Sequence, residues 1–323
     1  MKSDSQYDIL GIIPIKLGGH ALKANICDFT GNVGLTGKAH GVLALYHNIL
    51  GARPDGYHKF QSFLQKLAIF DNVTVNVTKG SGKVTIKAAE AYPENYVKEV
   101  VSRFLTSFSI QADATISIDS RMPVNFGLFE AEAAAATAIK LVNKCLGEPV
   151  SRIALLDFAN SVSNELLCCT VSGTKYADML DAHKCMISSM PPIPSCGILI
   201  AHKNRTALPG YSESVKLCDE FYGSYWDRRG SSQALRCLLD AVPAGDFNTV
   251  ISNNSNVFLP PLSKKFADVE ATSALLRKLG ADATGTVSHS TAVYGIFKDR
   301  KMSAAAAESS MLYDHTVILT EPV

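Results

Sequence analysis

The alternation of apolar and polar residues along the chain predicts several strands. Val73, Val75 and Val77 alternate with polar residues at period two, which is typical of a strand with one buried face. Short apolar runs bounded by glycine, proline or polar residues indicate further buried strands. The predicted strands are 42–50, 63–78, 84–87, 114–119, 197–201, 292–297 and 317–320.

Helical periodicity and helix end signals fill the spaces between these strands. The alanine-rich segment 131–145 stops before Gly147, and Ser151 is a typical N-cap for the segment that follows. The predicted helices are 95–108, 131–145, 151–166, 231–242 and 267–279. Because strands and helices do not alternate strictly, the pattern favours an α+β fold over a doubly wound sheet. We expect an N-terminal extension at 1–35 and two lobes at 36–190 and 191–323.

Composition excludes some classes of function. Of the 323 residues, 47% are apolar, and the formal net charge is +1, so no global charge steers the protein to nucleic acid or to a membrane surface. No apolar run is long enough to span a bilayer. Eight cysteines without a CxxC pair indicate reduced thiols and no metal site. The N-terminus lacks a secretory signal, so we expect an intracellular protein, with the mitochondrial matrix and the cytoplasm both open.

Three segments, in this order, resemble one family. Residues 51–58 read GARPDGYH and are similar to the G-x-R-x-D-G-Y-H segment of the 4-diphosphocytidyl-2-C-methyl-D-erythritol kinases, which are GHMP-superfamily enzymes. Residues 122–137 fall on the family's P-x-G-x-G-L-G-G-G-S-S-x-A-A-T phosphate loop, and residues 287–297 fall on its C-terminal S-G-S-G-P-T-V-F segment. The first segment is specific to this family, whereas the other two support the resemblance mainly through their order and spacing.

The resemblance implies a GHMP kinase fold, with an N-terminal lobe like ribosomal protein S5 domain 2 and a ferredoxin-like C-terminal lobe. It also implies phosphorylation, by ATP with Mg, of a hydroxyl on a cytidine-diphosphate polyol. In that family an aspartate acts as base, a lysine lies near the start of the first strand, and a glycine loop surrounds the ATP phosphates. The positions of Tyr57 and His58 contribute to the family's cytidine pocket.

The phosphate loop departs most from the family pattern. Gly127 and Leu128 are retained, but side chains occupy positions where bare backbone would approach a phosphate. Each added carboxylate would repel a phosphate charge by roughly 3 kcal/mol at about 5 Å and an effective dielectric of about 20. Alternatively, the carboxylates stabilise the helix N-terminus in place of the lost ligand. The family's three consecutive glycines fall on Phe129, Glu130 and Ala131, and its serine pair falls on Glu132 and Ala133.

The other catalytic positions are altered as well. The family aspartate falls on Glu165, which could act as a base but carries a longer side chain. The family lysine falls on Val42 and the nearby asparagine on Ala44. Lys38 lies four residues upstream of Val42, about 13 Å away along a strand, and is a poor substitute. If the protein were active, Glu165 and Lys38 would be the candidate catalytic residues.

An aromatic and basic stretch is a candidate partner contact. It contains Tyr225, Trp226, Arg228 and Arg229, and this composition suits a contact with protein or RNA. The same composition also suits a helix that packs between the lobes.

The sequence supports two main hypotheses of function. The first is a catalytically inactive kinase homologue that binds no cofactor and serves as a structural or assembly factor in a larger complex of protein and RNA, such as an organellar ribosome precursor. The second is an active, divergent kinase that uses ATP and Mg. A third hypothesis is a small-molecule sensor that uses a remnant nucleoside pocket at Tyr57 and His58.

Overall fold

The computed structural model describes residues 32–52, 58–181, 184–223 and 228–323. Its first half is a sheet covered by helices. The elements of this half are β1 (Val33–Ala52), β2 (His58–Lys79), β3 (Val84–Lys87), α1 (Glu94–Ser107), β4 (Ala112–Asp119), α2 (Glu130–Cys145), α3 (Arg152–Val162), α4 (Asn164–Thr170), β5 (Thr174–Asp181) and β6 (Lys184–Met190).

The second half is built around a smaller antiparallel sheet with helices. Its elements are β7 (Gly197–Lys203), α5 (Tyr211–Tyr222), α6 (Arg228–Ala244), α7 (Phe247–Ser252), β8 (Ser255–Asn256), α8 (Leu259–Lys265), α9 (Ala267–Lys278), β9 (Ala283–Thr286), β10 (Val293–Phe297), α10 (Arg300–Ala307) and β11 (His315–Thr320). No helix among the described residues has the length and apolar character that a membrane crossing requires.

The two sheets have different topologies. The larger sheet has the order β3-β4-β2-β1-β8, and β5 pairs with the first part of β2 and with β6. Its pairs are antiparallel except β3 with β4 and β1 with β8. The smaller sheet has the order β11-β7-β10-β9 and is antiparallel throughout. This mixed arrangement confirms the predicted α+β fold.

Alternation along β2 decides which face of the larger sheet is covered. Val73, Val75 and Val77 are fully buried and belong to the apolar cluster formed with α1 to α4. Phe104 of α1 and Phe158 of α3 meet edge to face in that cluster, with ring centroids 5.4 Å apart. The period-two pattern of the sequence is therefore a consequence of one helix-covered face.

Several elements differ from their predicted bounds. The predicted helix 151–166 is two helices, because Ser163 adopts an extended conformation and its hydroxyl caps α4 by accepting the N–H of Leu166 at 3.0 Å. Strand β1 begins at Val33, so the predicted boundary at residue 36 falls inside a strand. The sequence pattern did not indicate β5, β6 or α5.

Hydrogen bonds cross the boundary predicted between the two lobes. β8 adds a parallel strand to β1, with His47 opposite Asn256. The last residues return to β2, where the N–H of Val323 donates to the carbonyl of Lys66 and the N–H of Ala68 donates to the carbonyl of Glu321. Residues from the second half thus complete the sheet of the first half.

Candidate functional site

The segment before α2 is fixed to the first two strands. Asp71 of β2 is buried, and its Oδ1 accepts the N–H groups of Arg121 and Met122 at 2.7 and 2.8 Å. At the other end, the N–H of Val42 donates to the carbonyl of Leu128 at 3.0 Å. The loop between these anchors is therefore held against the sheet, directly in front of the N-terminus of α2.

Gly127 marks the closest approach of this loop to the second half of the chain. Its φ is +81°, and a Cβ at this position would lie 2.5 Å from the carbonyl oxygen of Val287. It would also lie 3.3 Å from the Cβ atoms of Ser288 and Ser290. Only glycine fits this position, because both the φ and the space exclude a side chain. The retained loop glycine is thus explained by the contact between the two halves.

Phe129 replaces the first family glycine and turns into an apolar cluster. It precedes α2 with a φ of +57°, and it packs against the cluster that contains Val42, Ala44 and Cys168. Val42 and Ala44, on which the resemblance places the family lysine and asparagine, are both buried. Apolar packing therefore fills the region where the sequence comparison expects charged and amide side chains.

The carboxyl group of Glu130 accepts hydrogen bonds from the backbone of the loop. The N–H of Asn125 donates to Oε1 of Glu130 at 2.5 Å, and hydrogen bonds with the backbone at Leu128 and at Glu130 itself also hold the carboxyl. Converging backbone N–H groups in front of a helix form an anion site. Here the protein's own carboxyl occupies that nest, and burial raises its pKa despite these hydrogen bonds.

Glu132 on α2 interacts electrostatically with Glu165 on α4. Burial and the neighbouring carboxyls of Glu130 and Glu165 raise the pKa of Glu132 to about 8. Burial also raises the pKa of Glu165, against hydrogen bonds from its own N–H and from Ser163. At neutral pH Glu132 is thus mostly uncharged, so the repulsion calculated for two full charges overstates the effect. The side chains of Phe129 and Glu130 also take up space that a phosphate would need.

We expect Glu132→Gln to flatten the pH dependence of stability. The folded pKa of Glu132, about 8, lies above its ordinary value of 4.5, so the unfolded chain releases the proton first as pH rises. This group therefore contributes stability below about pH 4.5 and loses it progressively up to about pH 8. Urea unfolding is expected to show the variant gaining about 3 kcal/mol of stability relative to the parent between pH 5 and pH 8.

The control for this prediction is Glu94→Gln, which changes an exposed glutamate in the first turn of α1. It should shift the free energy of unfolding by a similar small amount at both pH values. A Glu132→Gln profile parallel to that of the parent would show that the Glu132 carboxyl is ionised in the folded protein.

Lys38 does not lie beside Glu165. A Cβ on Gly37 would contact Thr137 and Leu141 of α2, so residue 37 faces the helices and Lys38 faces away from them. Its Nζ lies over the ring of Phe70, 4.2 Å from the centroid. The β1–β2 sheet therefore separates Lys38 from the carboxyls at α2 and α4.

Two lysines that the sequence reasoning missed lie near those carboxyls instead. The ammonium group of Lys175, on β5, is buried and donates to the carbonyls of Cys168 and Val171 at 2.6 and 2.8 Å. Lys140, on α2, donates to the carbonyl of Cys169 at 3.4 Å, and burial lowers its pKa to about 8. Cys169 interacts electrostatically with both lysines and with both Glu132 and Glu165. The signal available in the sequence was Lys140, a lysine in the middle of a helix that is otherwise largely apolar.

His58 joins the two halves of the chain. Its Nε2 lies 3.1 Å from Oδ1 of Asp219 on α5. Further along the same strands, His47 is stacked between Phe60 and Phe258, and burial lowers its pKa to about 3. The retained histidine of the predicted nucleoside pocket is thus engaged with the second half of the chain.

The remaining predicted residues carry no side-chain description. Tyr57, Tyr225 and Trp226 lie outside the described residues, and Arg228 and Arg229 are described only as the start of α6. Among the residues that the structure describes, no three His, Cys, Asp or Glu side chains come together in a way that could hold a metal ion.

Comparison with known families agrees with this architecture. Residues 95–179 match the family described as GHMP kinases N terminal domain. The chain is 21% identical over 286 residues to 4-diphosphocytidyl-2-C-methyl-D-erythritol kinase from Caldicellulosiruptor saccharolyticus, covering 88% of this chain and 95% of that protein.

Solved structures show the same fold at low sequence identity. A crystal structure of 4-(cytidine 5'-diphospho)-2C-methyl-D-erythritol kinase superposes with a TM-score of 0.67 and 15% identity, covering 89% of this chain and 99% of that one. Mevalonate pyrophosphate decarboxylase from Streptococcus pyogenes gives a TM-score of 0.68 and 14% identity, covering 90% and 97%. Since a kinase and a decarboxylase match equally well, the likeness establishes the fold and leaves the reaction to the site.

Proposed function

We propose that this chain, which has the GHMP kinase fold and is similar to the 4-diphosphocytidyl-2-C-methyl-D-erythritol kinases, is catalytically inactive and serves as a structural or assembly factor in a larger complex. The complex would be one of protein and RNA, such as an organellar ribosome precursor. Support for RNA comes from fold kinship with a ribosomal protein domain, which is an argument by analogy.

One observation carries the loss of catalysis: the carboxyl of Glu130 occupies the backbone nest in front of α2. A phosphate would have to displace this carboxyl and break its hydrogen bonds before it could contact the loop. Apolar packing of Phe129 beside Val42 and Ala44 supports the same conclusion, because a bound polyphosphate would meet no lysine at those positions.

The second candidate function is an active, divergent kinase. The observation in its favour is the group of ionisable side chains formed by Glu132, Glu165, Lys140 and Lys175 around Cys169. Burial raises the pKa of Glu165, which works against its use as a base, and the ammonium of Lys175 is already held by two carbonyls. These features favour a structural role for the group.

A thermal-shift titration with ATP and Mg separates the two functions. Inactivity predicts no stabilisation at millimolar ATP, whereas a ligand present at 100 times its Kd would stabilise the fold by about 2.7 kcal/mol. Stabilisation by ATP, together with transfer of its γ-phosphate to a cytidine-diphosphate polyol, would refute the proposal. A parallel titration with cytidine monophosphate examines the nucleoside pocket independently of the phosphate loop.

A further inference from the structure

A cleft lies on the sheet face opposite α2, between β2 and β11. The segment after β11 meets β2 at a bridge between Leu67 and Pro322, and beyond it the N–H of Ile69 donates to the hydroxyl of Thr320 rather than to a backbone carbonyl. Around this point the strands border an open cleft of about 420 Å³. We call it the C-terminal cleft; its lining includes Ala68, Ile69, Phe70, Arg121, Arg300, Leu319, Thr320 and Glu321.

The C-terminal cleft presents an apolar wall with cations at its rim. Phe70 is flanked by the ammonium of Lys38 and by the guanidinium of Arg121, whose Cζ lies 5.5 Å from the ring centroid. Leu319 leaves 48% of its surface exposed. The side chains of Arg121 and Arg300 are 60% and 53% exposed. Exposed arginines beside an aromatic ring are the composition of protein interaction sites.

The arginines of the cleft are only weakly engaged within the chain. Nε of Arg121 lies 3.9 Å from Oδ2 of Asp119, and Arg300 pairs with Glu321. Ion pairs as exposed as these contribute little to stability, so an incoming carboxylate could replace them with a two-pronged guanidinium contact. The cleft is therefore suited to an acidic group on a partner.

The outer edge of β11 adds a backbone binding surface. Among the described strands, the His315–Thr320 segment pairs only with β7, and β2 lies against its outer edge at the Thr320 end, so the backbone groups that face away from β7 at residues 315–319 have no strand partner. Such an edge can accept an extended segment of another chain, with side chains at alternate positions entering the adjacent cleft. Five of the nine exposed large apolar side chains in the described part of the chain lie between Met302 and Val323.

We propose that the C-terminal cleft and the edge of β11 dock an extended protein segment in which acidic and apolar residues alternate. The cleft has three cations, Lys38, Arg121 and Arg300, and two carboxylates, those of Asp119 and Glu321. Its net positive charge is therefore small. RNA binding depends on many phosphate contacts and is less suited to this surface than a peptide with one or two carboxylates. The inference rests on the proposed assembly role and gives its partner a chemical class.

A peptide-display selection on the full chain tests this docking surface. A random library of linear peptides is selected on the wild-type protein, with counter-selection on the double variant Arg121→Glu, Arg300→Glu. We expect enriched peptides with acidic and apolar residues at alternate positions, and at least a tenfold loss of affinity for the double variant. A peptide with its acidic residues changed to lysine should regain affinity for that variant.

Controls separate a lost contact from a lost fold. The neutral double variant Arg121→Gln, Arg300→Gln should weaken the same peptides while its melting temperature stays near that of the parent. Lys216→Glu reverses a charge on α5, at a side chain 78% exposed, and should leave peptide affinity unchanged. No enrichment, or equal binding to wild type and double variant, would overturn the proposal. Arginine-dependent binding of an oligouridine RNA in place of peptides would overturn it as well.

The outcome is independent of the ATP titration. Phosphoryl transfer would refute catalytic inactivity without altering peptide binding. Failure of the selection would refute the docking surface without altering the argument for inactivity, which depends on the carboxyl of Glu130 in the phosphate loop.

Discussion

Gly127→Ala is expected to destabilise the protein by about 3 kcal/mol. Part of this cost is the φ of +81°, which an L-residue adopts at about 1–2 kcal/mol. The larger part arises because the new Cβ would lie 2.5 Å from the carbonyl oxygen of Val287, so the backbone of one half must move away from the other. Urea unfolding at neutral pH measures the difference directly.

Gly147→Ala is the matched control for this substitution. Gly147 has a φ of +78°, almost the same backbone conformation, but a Cβ there would meet nothing within 4 Å. It should cost about 1 kcal/mol, the contribution of conformation alone. If both variants lose the same stability, the contact between the loop and Val287 does not hold the two halves together as the structure indicates.

Glu130→Ala is expected to turn the loop into an anion site. Removal of the carboxyl frees the N–H of Asn125 and its neighbours in front of α2, and an added anion can then take its place. We expect affinity for inorganic pyrophosphate to rise about 100-fold, or about 2.7 kcal/mol, as measured by isothermal titration. Without ligand, the variant should lose about 1–2 kcal/mol of stability, the usual contribution of a side chain that satisfies backbone donors at a helix start.

Two further variants separate occupancy from charge. Glu130→Gln keeps the size of the side chain and an oxygen for the N–H of Asn125, so the nest should stay closed. Glu270→Ala removes an exposed carboxylate from the first turn of α9 and should create no anion site. A gain in pyrophosphate affinity by Glu130→Gln as large as that by Glu130→Ala would show that charge, and not the occupied space, excludes the anion.

The fold could be predicted from the sequence because its signals are local or ordered along the chain. The valine alternation of β2, the alanine-rich α2 and the order of three motif segments each depend on few residues. β5 was missed for a physical reason: Lys175 gives the segment a polar appearance, yet its ammonium is buried because two carbonyls accept from it. Burial of a charged residue depends on partners brought together by the fold, which a local pattern does not contain.

The candidate site was predictable in position but not in its chemistry. Its place in front of α2 follows from Gly127 and Leu128 in the motif. The destination of the Glu130 carboxyl does not, because a side chain at a helix start can point outward or back into the loop. Lys38 illustrates the opposite error, since distance along a strand says nothing of the face on which a side chain lies.

The pairing of β8 with β1 affects how the newly made chain folds. His47 and Asn256 are neighbours in the sheet but far apart in the sequence. The edge of β1 that faces away from β2 therefore has no strand partner until the second half has been synthesised. A nascent chain would hold an open strand edge throughout that interval, and such edges associate with other chains. A chaperone that covers this edge until β8 has been synthesised would therefore raise the yield of folded protein. Expression of the first half alone would favour aggregation.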